Sequence, residues 1–155
     1  MPEQMLCAFP QSSPWVEVRD GDASVRSVFD RHYSRRKYRD GRSPSLFVGP
    51  GEKMVLRTAT CDAIFVWRKF ISMDGRRGVN CAVFRNESPE LSSRLILEAE
   101  RLADARWPGE EFYTYVNSRR IRSTNPGYCF QRAGWRRDGH TKSVLDVLVK
   151  ANPHA

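Results

Sequence analysis

The sequence predicts one mixed α/β (α+β) domain in which a mostly antiparallel sheet is flanked by helices. Three observations carry this. Short apolar stretches recur along the chain, among them Phe112-Tyr113-Thr114-Tyr115-Val116, with the alternation of a strand. The stretch after Ser88 instead spaces Leu91, Leu95, Ala99, Leu102 and Ala103 along one helical face. The chain has 155 residues, 40% hydrophobic and 28% charged, which suits a single domain over 1–155 with a buried core and excludes a disordered tail.

Taken in order, residues 1–14 are a weakly patterned lead-in. Trp15, Val16 and Val18 read as an edge strand broken by Asp20-Gly21-Asp22. Asp22 is a good cap for a helix from Ala23 to about Tyr33, because its carboxylate can accept from the first free amides. Val25, Val28, Phe29 and His32 fall on that helix's apolar face. His32 closes the face, a position that suits a core-edge histidine as well as a catalytic one. The stretch Arg35 to Arg42 is too basic to be core and reads as a loop, either solvated or tracking a phosphate backbone. Gly49-Pro50-Gly51 forces a tight turn.

Lys53 to Thr60 and Ala63 to Phe70 read as a hairpin joined near Cys61-Asp62. Val79 to Phe84 is a further strand. Ser88 and Pro89 then suit the cap and first position of the long helix, which Trp107-Pro108-Gly109 ends. The strand from Phe112 has Phe112, Thr114 and Val116 on one side and Tyr113, Tyr115 and Asn117 on the other. The expectation is one buried face and one face of phenols and an amide. Arg119, Arg120 and Arg122 make a basic loop, Tyr128 to Ala133 a short helix stopped by Gly134, and Trp135 opens the next strand. Lys142 to Val149 is the closing strand.

The net charge is +8, from 26 basic and 18 acidic residues, and arginine dominates the excess. Arginine reads phosphate and guanine bidentately, so an anionic partner, nucleic acid first, is expected. Four cysteines, Cys7, Cys61, Cys81 and Cys129, are widely spread with no CxxC pair, which argues against a zinc ribbon or redox motif. The opening residues lack a signal peptide's basic start and apolar run, and no segment reaches membrane-spanning length. The expectation is a soluble cytoplasmic protein (host cytoplasm if phage-encoded) with no membrane partner and with its cysteines as thiols.

Several stretches together resemble the Mom family, phage proteins that modify adenine in DNA. They are His32-Tyr33-Ser34-Arg35; Phe47-Val48-Gly49-Pro50-Gly51-Glu52-Lys53; Phe65-Val66-Trp67-Arg68; Asn80-Cys81-Ala82-Val83-Phe84-Arg85-Asn86-Glu87; and Leu91-Ser92-Ser93. Phe112 to Asn117, Asn125-Pro126-Gly127-Tyr128-Cys129-Phe130 and Ala133-Gly134-Trp135 complete the set. The resemblance implies a GNAT-like fold and a transferase that adds an acetamido (carbamoylmethyl) group to the exocyclic amine of adenine, protecting phage DNA from restriction. It also implies double-stranded DNA and a small-molecule group donor as partners, and iron as a possible metal.

A base inside a duplex must be flipped out and held between apolar or aromatic walls, for which Trp67, Tyr113, Tyr115 and Tyr128 are candidates. Asn80 or Asn117 suits the donor–acceptor edge of adenine. Adenine's amine is a weak nucleophile, so a group must take its proton. His32, Tyr33, Glu87 and Tyr115 are the catalytic candidates. His32 is the candidate metal ligand, with a phenolate or carboxylate beside it. Arg35, Arg36, Lys37, Arg120 and Arg122 are assigned to DNA phosphates. In a GNAT-like fold, Arg85, Asn86, Ser92 and Ser93 fall where a cofactor pyrophosphate would bind. The glycines of that loop are absent here and Glu87 and Glu90 intrude, which argues against acetyl-CoA. Two other functions fit the composition: an acetyltransferase acting on a small-molecule or protein amine, and a non-enzymatic DNA-binding module.

Overall fold

A computed structural model describes residues 13–32, 45–71, 75–119, 125–141 and 145–151. Seven strands form one sheet: β1 (Trp15–Val18), β2 (Glu52–Thr58), β3 (Ala63–Lys69), β4 (Val79–Asn86), β5 (Phe112–Val116), β6 (Arg136–His140) and β7 (Asp146–Lys150). Their order across the sheet is β1-β2-β3-β4-β5-β7-β6. Neighbouring strands run antiparallel except β4 and β5, which are parallel. The helices are α1 (Arg26–Asp30), preceded by a 3-10 turn Ala23–Val25, then α2 (Ser92–Arg106) and α3 (Tyr128–Arg132). The mixed, mostly antiparallel sheet with flanking helices is the fold class that the sequence predicts.

Both faces of the central strands are covered, which is why β3 reads Ala63-Ile64-Phe65-Val66-Trp67 without a polar residue. Phe65 and Trp67 point to one face, with Leu95, Ile96 and Ala99 of α2 and Phe130 of α3. Ile64 and Val66 point to the other, with Val25, Val28 and Phe29 around α1. The remainder of that second face, over β5 and β7, is a smaller cluster of Tyr113, Val147 and Val149. Glu100 of α2 is buried, accepts from the Trp135 indole at 2.7 Å and pairs with Lys150 at 2.8 Å, tying the long helix to the far end of the sheet. Burial pushes its carboxyl pKa up, against the pull of Lys150 and Trp135.

Several expectations shift. The helix after Asp22 is a 3-10 turn and then a five-residue α-helix rather than one run to Tyr33. Asp22 does cap it, accepting from the Ser24 amide at 2.8 Å. The long helix begins at Ser92, not Pro89. The Asn86 side chain explains the delay. Its Oδ1 accepts from the Ser88 amide at 2.9 Å, and its Nδ2 donates to the Glu90 carbonyl and the Ser92 hydroxyl, closing residues 86–92 into a non-helical loop. Leu91 therefore stands outside the helix, 70% exposed, while Ile96 and Glu100 join the buried stripe. The Gly-Pro-Gly stretch is a packed turn: the Pro50 carbonyl accepts from Arg68 at 2.6 Å. The strand opened by Trp135 starts at Arg136, and the closing strand spans Asp146–Lys150. Cys61, Cys81 and Cys129 are free thiols, Cys81 being buried, and Cys7 lies outside the described residues. Among the described residues, no helix is long and apolar enough to cross a membrane.

Candidate functional site

The site follows from a local defect in pairing. Strands β4 and β5 pair through Val79–Phe112, Asn80–Tyr113 and Cys81–Thr114 only, although β4 continues to Asn86 and β5 to Val116. The Thr114 hydroxyl closes the paired part, donating to the Cys81 carbonyl at 2.9 Å. The next residue, Ala82, is a bulge: Trp67 pairs with Cys81 and the adjacent Val66 with Val83. A bulge bends its strand and increases local twist, so β4 turns away from β5 here.

The gap is a cleft of about 270 Å³. Phe84, Tyr115, Tyr128 and Phe130 supply aromatic walls, and His32 and Asn125 polar groups. Cys81 and Cys129 also line it. Burial raises both thiol pKa values, so each is a neutral thiol rather than a thiolate nucleophile.

Each side of the cleft is held by an arginine. On the His32 side, the turn ending α1 is tied to β4: Arg31 donates to both Glu87 oxygens, at 2.7 and 2.5 Å. Arg85 donates to the same carboxylate at 2.6 Å, and the Glu87 amide donates to the Asp62 carbonyl at 2.8 Å. On the α3 side, Arg137 donates to Asn125 Oδ1 at 3.2 Å, to the Pro126 carbonyl at 3.0 Å and to Asp146 at 2.9 Å. Asn125 Nδ2 donates to Gln131 at 2.8 Å, so the amide's orientation is set from both ends.

Gly127 completes the α3 side. Its φ is +84°, and a Cβ there would stand 2.6 Å from Leu148 Cδ1. Gly127→Ala therefore combines a left-handed penalty with a steric clash, and urea unfolding should register a loss of about 2–3 kcal/mol. A loss below ~0.5 kcal/mol would mean that the turn repacks freely.

Of the sequence-derived candidates, His32, Tyr115 and Tyr128 meet in the cleft. Trp67 does not: it is fully buried, with its indole donating to the Ala99 carbonyl at 3.0 Å, and is core rather than wall. Tyr113 is 1% exposed: Val147 and Val149 of the neighbouring strand flank it, Tyr115 packs edge-on beside it and the Arg76 guanidinium lies 5.9 Å from its ring centre, so the alternation's open face is closed here. Asn80 points to the same face as Tyr113 rather than into the cleft, with its Oδ1 buried. Asn117 folds back to accept from the Arg119 amide at 3.2 Å. Asn86 and Ser92 shape the loop before α2, next to Ser93, and Arg85 is engaged with Glu87. Tyr33, Arg35, Arg36, Lys37, Arg120 and Arg122 lie outside the described residues.

Glu87 is poorly suited to act as a base. The Arg31 guanidinium holds its carboxyl at about 2, against the opposing pull of burial and with further help from Arg85. Such a group is ionised at neutral pH and a weak proton acceptor. Its pKa is depressed from 4.5, so the ion pairs stabilise the fold above that pH, and the contribution is lost as pH falls towards about 2. Glu87→Gln should cost about 1 kcal/mol at neutral pH after solvent screening, a cost that shrinks as pH falls from 4.5 through about 2, as urea unfolding across that range would register. A pH-independent cost would mean that the carboxylate charge contributes nothing.

Asn125, Phe84 and Phe130 escaped the sequence reading. Asn125-Pro126-Gly127 belongs to the stretches that carry the resemblance, but that Arg137 would hold Asn125 depends on a strand pairing that no local pattern reveals. Among the described residues no three His, Cys, Asp or Glu side chains come together, and Glu87 is committed to Arg31 and Arg85.

Fold and cleft define a class: a mixed α/β fold with a seven-stranded sheet that splits between two parallel strands at its centre. No protein-family model matches the chain, and neither does any curated protein or solved structure.

Proposed function

We propose that this protein is a Mom-type, GNAT-like transferase that adds a carbamoylmethyl group to the exocyclic amine of adenine in DNA. The observation that carries the reading is the cleft together with what adjoins it in sequence. Its walls are Phe84, Tyr115, Tyr128 and Phe130, which suit a flat base removed from the stack. His32 and Asn125 belong to it, and these two residues bound the arginine-rich stretches in sequence: Arg35 to Arg42 follows His32, and Arg119 to Arg122 precedes Asn125. A flipped base in the cleft would thus have phosphate-binding residues joined to both sides of its pocket. In the reaction, the adenine amine attacks the donor's methylene carbon, the leaving group departs with its electron pair, and His32 accepts the amine proton.

Mass spectrometry of nucleosides from plasmid DNA tests this. Cells making the protein should contain an adenosine heavier by the acetamido group. Unmodified DNA beside soluble protein, in cells supplied with lysate of the natural host as donor source, would overturn the reading.

A second reading, an acetyltransferase on a small-molecule or protein amine, is favoured by one observation. Leu91 gives α2 no side-chain cap, and the two glutamates before it are neutralised, Glu87 by Arg31 and Arg85 and Glu90 by Arg94. That leaves the helix start less hostile to a pyrophosphate than the sequence suggests. Calorimetric binding of acetyl-CoA would select this reading. DNA affinity should in either DNA-binding case fall with salt. Arg35→Ala or Arg122→Ala should weaken binding at every sequence and reduce the salt slope by about one unit. An unchanged slope would remove that residue from the phosphate contacts.

A further inference from the structure

We propose that Glu87 acts as a positioning residue: through its two-point bond with Arg31 it anchors the end of α1 to β4 and so holds the His32 imidazole in the cleft. The inference deepens the function proposed above and takes from it the role of His32.

The geometry carries it. Helix α1 has five residues and cannot set the direction of its last turn by helical hydrogen bonds alone. Val28 and Phe29 fix its buried side. Beyond them, Arg31 and His32 turn off the helix, with the His32 amide donating to the Phe29 carbonyl at 2.9 Å. Arg31 then reaches across 56 positions in sequence to Glu87. The contact uses two guanidinium nitrogens and both carboxylate oxygens, at 2.7 and 2.5 Å, which fixes direction as well as distance. Glu87 is itself immobilised, by the hydrogen bond that its backbone N–H donates to the Asp62 carbonyl and by Arg85. The anchor therefore ends on the rigid hairpin β2–β3 and on β4, the strand whose bulge opens the cleft. His32 is the residue next to the anchored arginine, and it lines the cleft.

The chain has three histidines, so the His32 imidazole can be followed by carbon–proton correlation NMR. The protein is compared with Glu87→Gln, Arg31→Met, their double variant and Arg85→Met. Glu87→Gln and Arg31→Met should move the His32 resonances in the same direction, towards those of exposed His140, and the double variant should move them no further than either single change. Arg85→Met, which leaves the Arg31 bond in place but loosens Glu87, should move them less than Arg31→Met does. Unchanged His32 resonances in folded Glu87→Gln would overturn the proposal, as would Arg85→Met acting as strongly as Arg31→Met. Far-UV circular dichroism and a cooperative urea transition report in every variant that the fold is retained. Nucleoside analysis of the same variants separates this inference from the function. If the unaltered protein modifies no adenine, the transferase reading fails, while the resonances still decide the anchor. If it does, Glu87→Gln should lower modification in proportion to the displaced His32 population.

Discussion

His32→Ala should yield a folded protein that leaves DNA adenine unmodified. His32 stands at the cleft, half-buried, after the last turn of α1, and the packing of that helix is carried by Val25, Val28 and Phe29. Truncation removes the imidazole while leaving those contacts in place, so the melting temperature should change little. A positioned general acid or base contributes about 10²–10⁴-fold, which is enough to take a cellular modification from complete to undetectable. His32→Gln, similar in volume but unable to take a proton, should be equally inactive. Full modification by either variant would remove His32 from the chemistry and leave the Tyr115 and Tyr128 phenols as the remaining sequence-derived candidates that line the cleft.

Trp67→Ala should have the opposite signature, a large loss of stability. The indole is fully buried and sits among Phe65, Phe112 and Trp135 at ring separations of 4.6, 5.0 and 6.3 Å. Replacing a buried Trp by Ala costs about 3–5 kcal/mol, from lost transfer free energy and the cavity left behind. For a domain of this size the melting temperature should fall by about 10 °C. Trp67→Phe keeps most of the buried ring and loses the bond to the Ala99 carbonyl, so its cost should be smaller, about 1–2 kcal/mol. A Trp67→Ala protein that melts normally but fails on DNA would return this residue to the wall of the cleft. The pair of predictions thus separates two roles that the sequence placed together.

The local pattern of the chain carried a good part of the fold. Strands β2, β3, β4 and β5 and the body of α2 lie where apolar β-forming runs, alternation and helical spacing placed them, because each of these patterns is carried by the element's own residues. Asp22 and the Trp107 terminus are equally local, since caps and stops act within a turn of the chain. His32, Tyr115 and Tyr128 were legible as site candidates from residue type and position.

What the tertiary structure decided is everything that depends on a distant partner. Tyr113 alternates like a solvent-facing residue, but Val147 and Val149 of the adjacent strand, Tyr115 and Arg76 enclose it. Trp67 looks like a stacking platform until the far side of β3 is seen to lie under α2. Ser88 and Pro89 form a good helix start, but Asn86 takes the local hydrogen bonds first and delays α2 to Ser92. Glu87 reads as a base near a cleft and is instead the carboxylate to which Arg31 is tied. The cleft itself exists because one extra residue at Ala82 bends β4 out of register with β3 and away from β5. A bulge is a property of two paired strands, and a cleft of two that have parted. Neither can be written in the period of a single stretch, so the sequence named residues for a site whose walls only the assembled sheet could select.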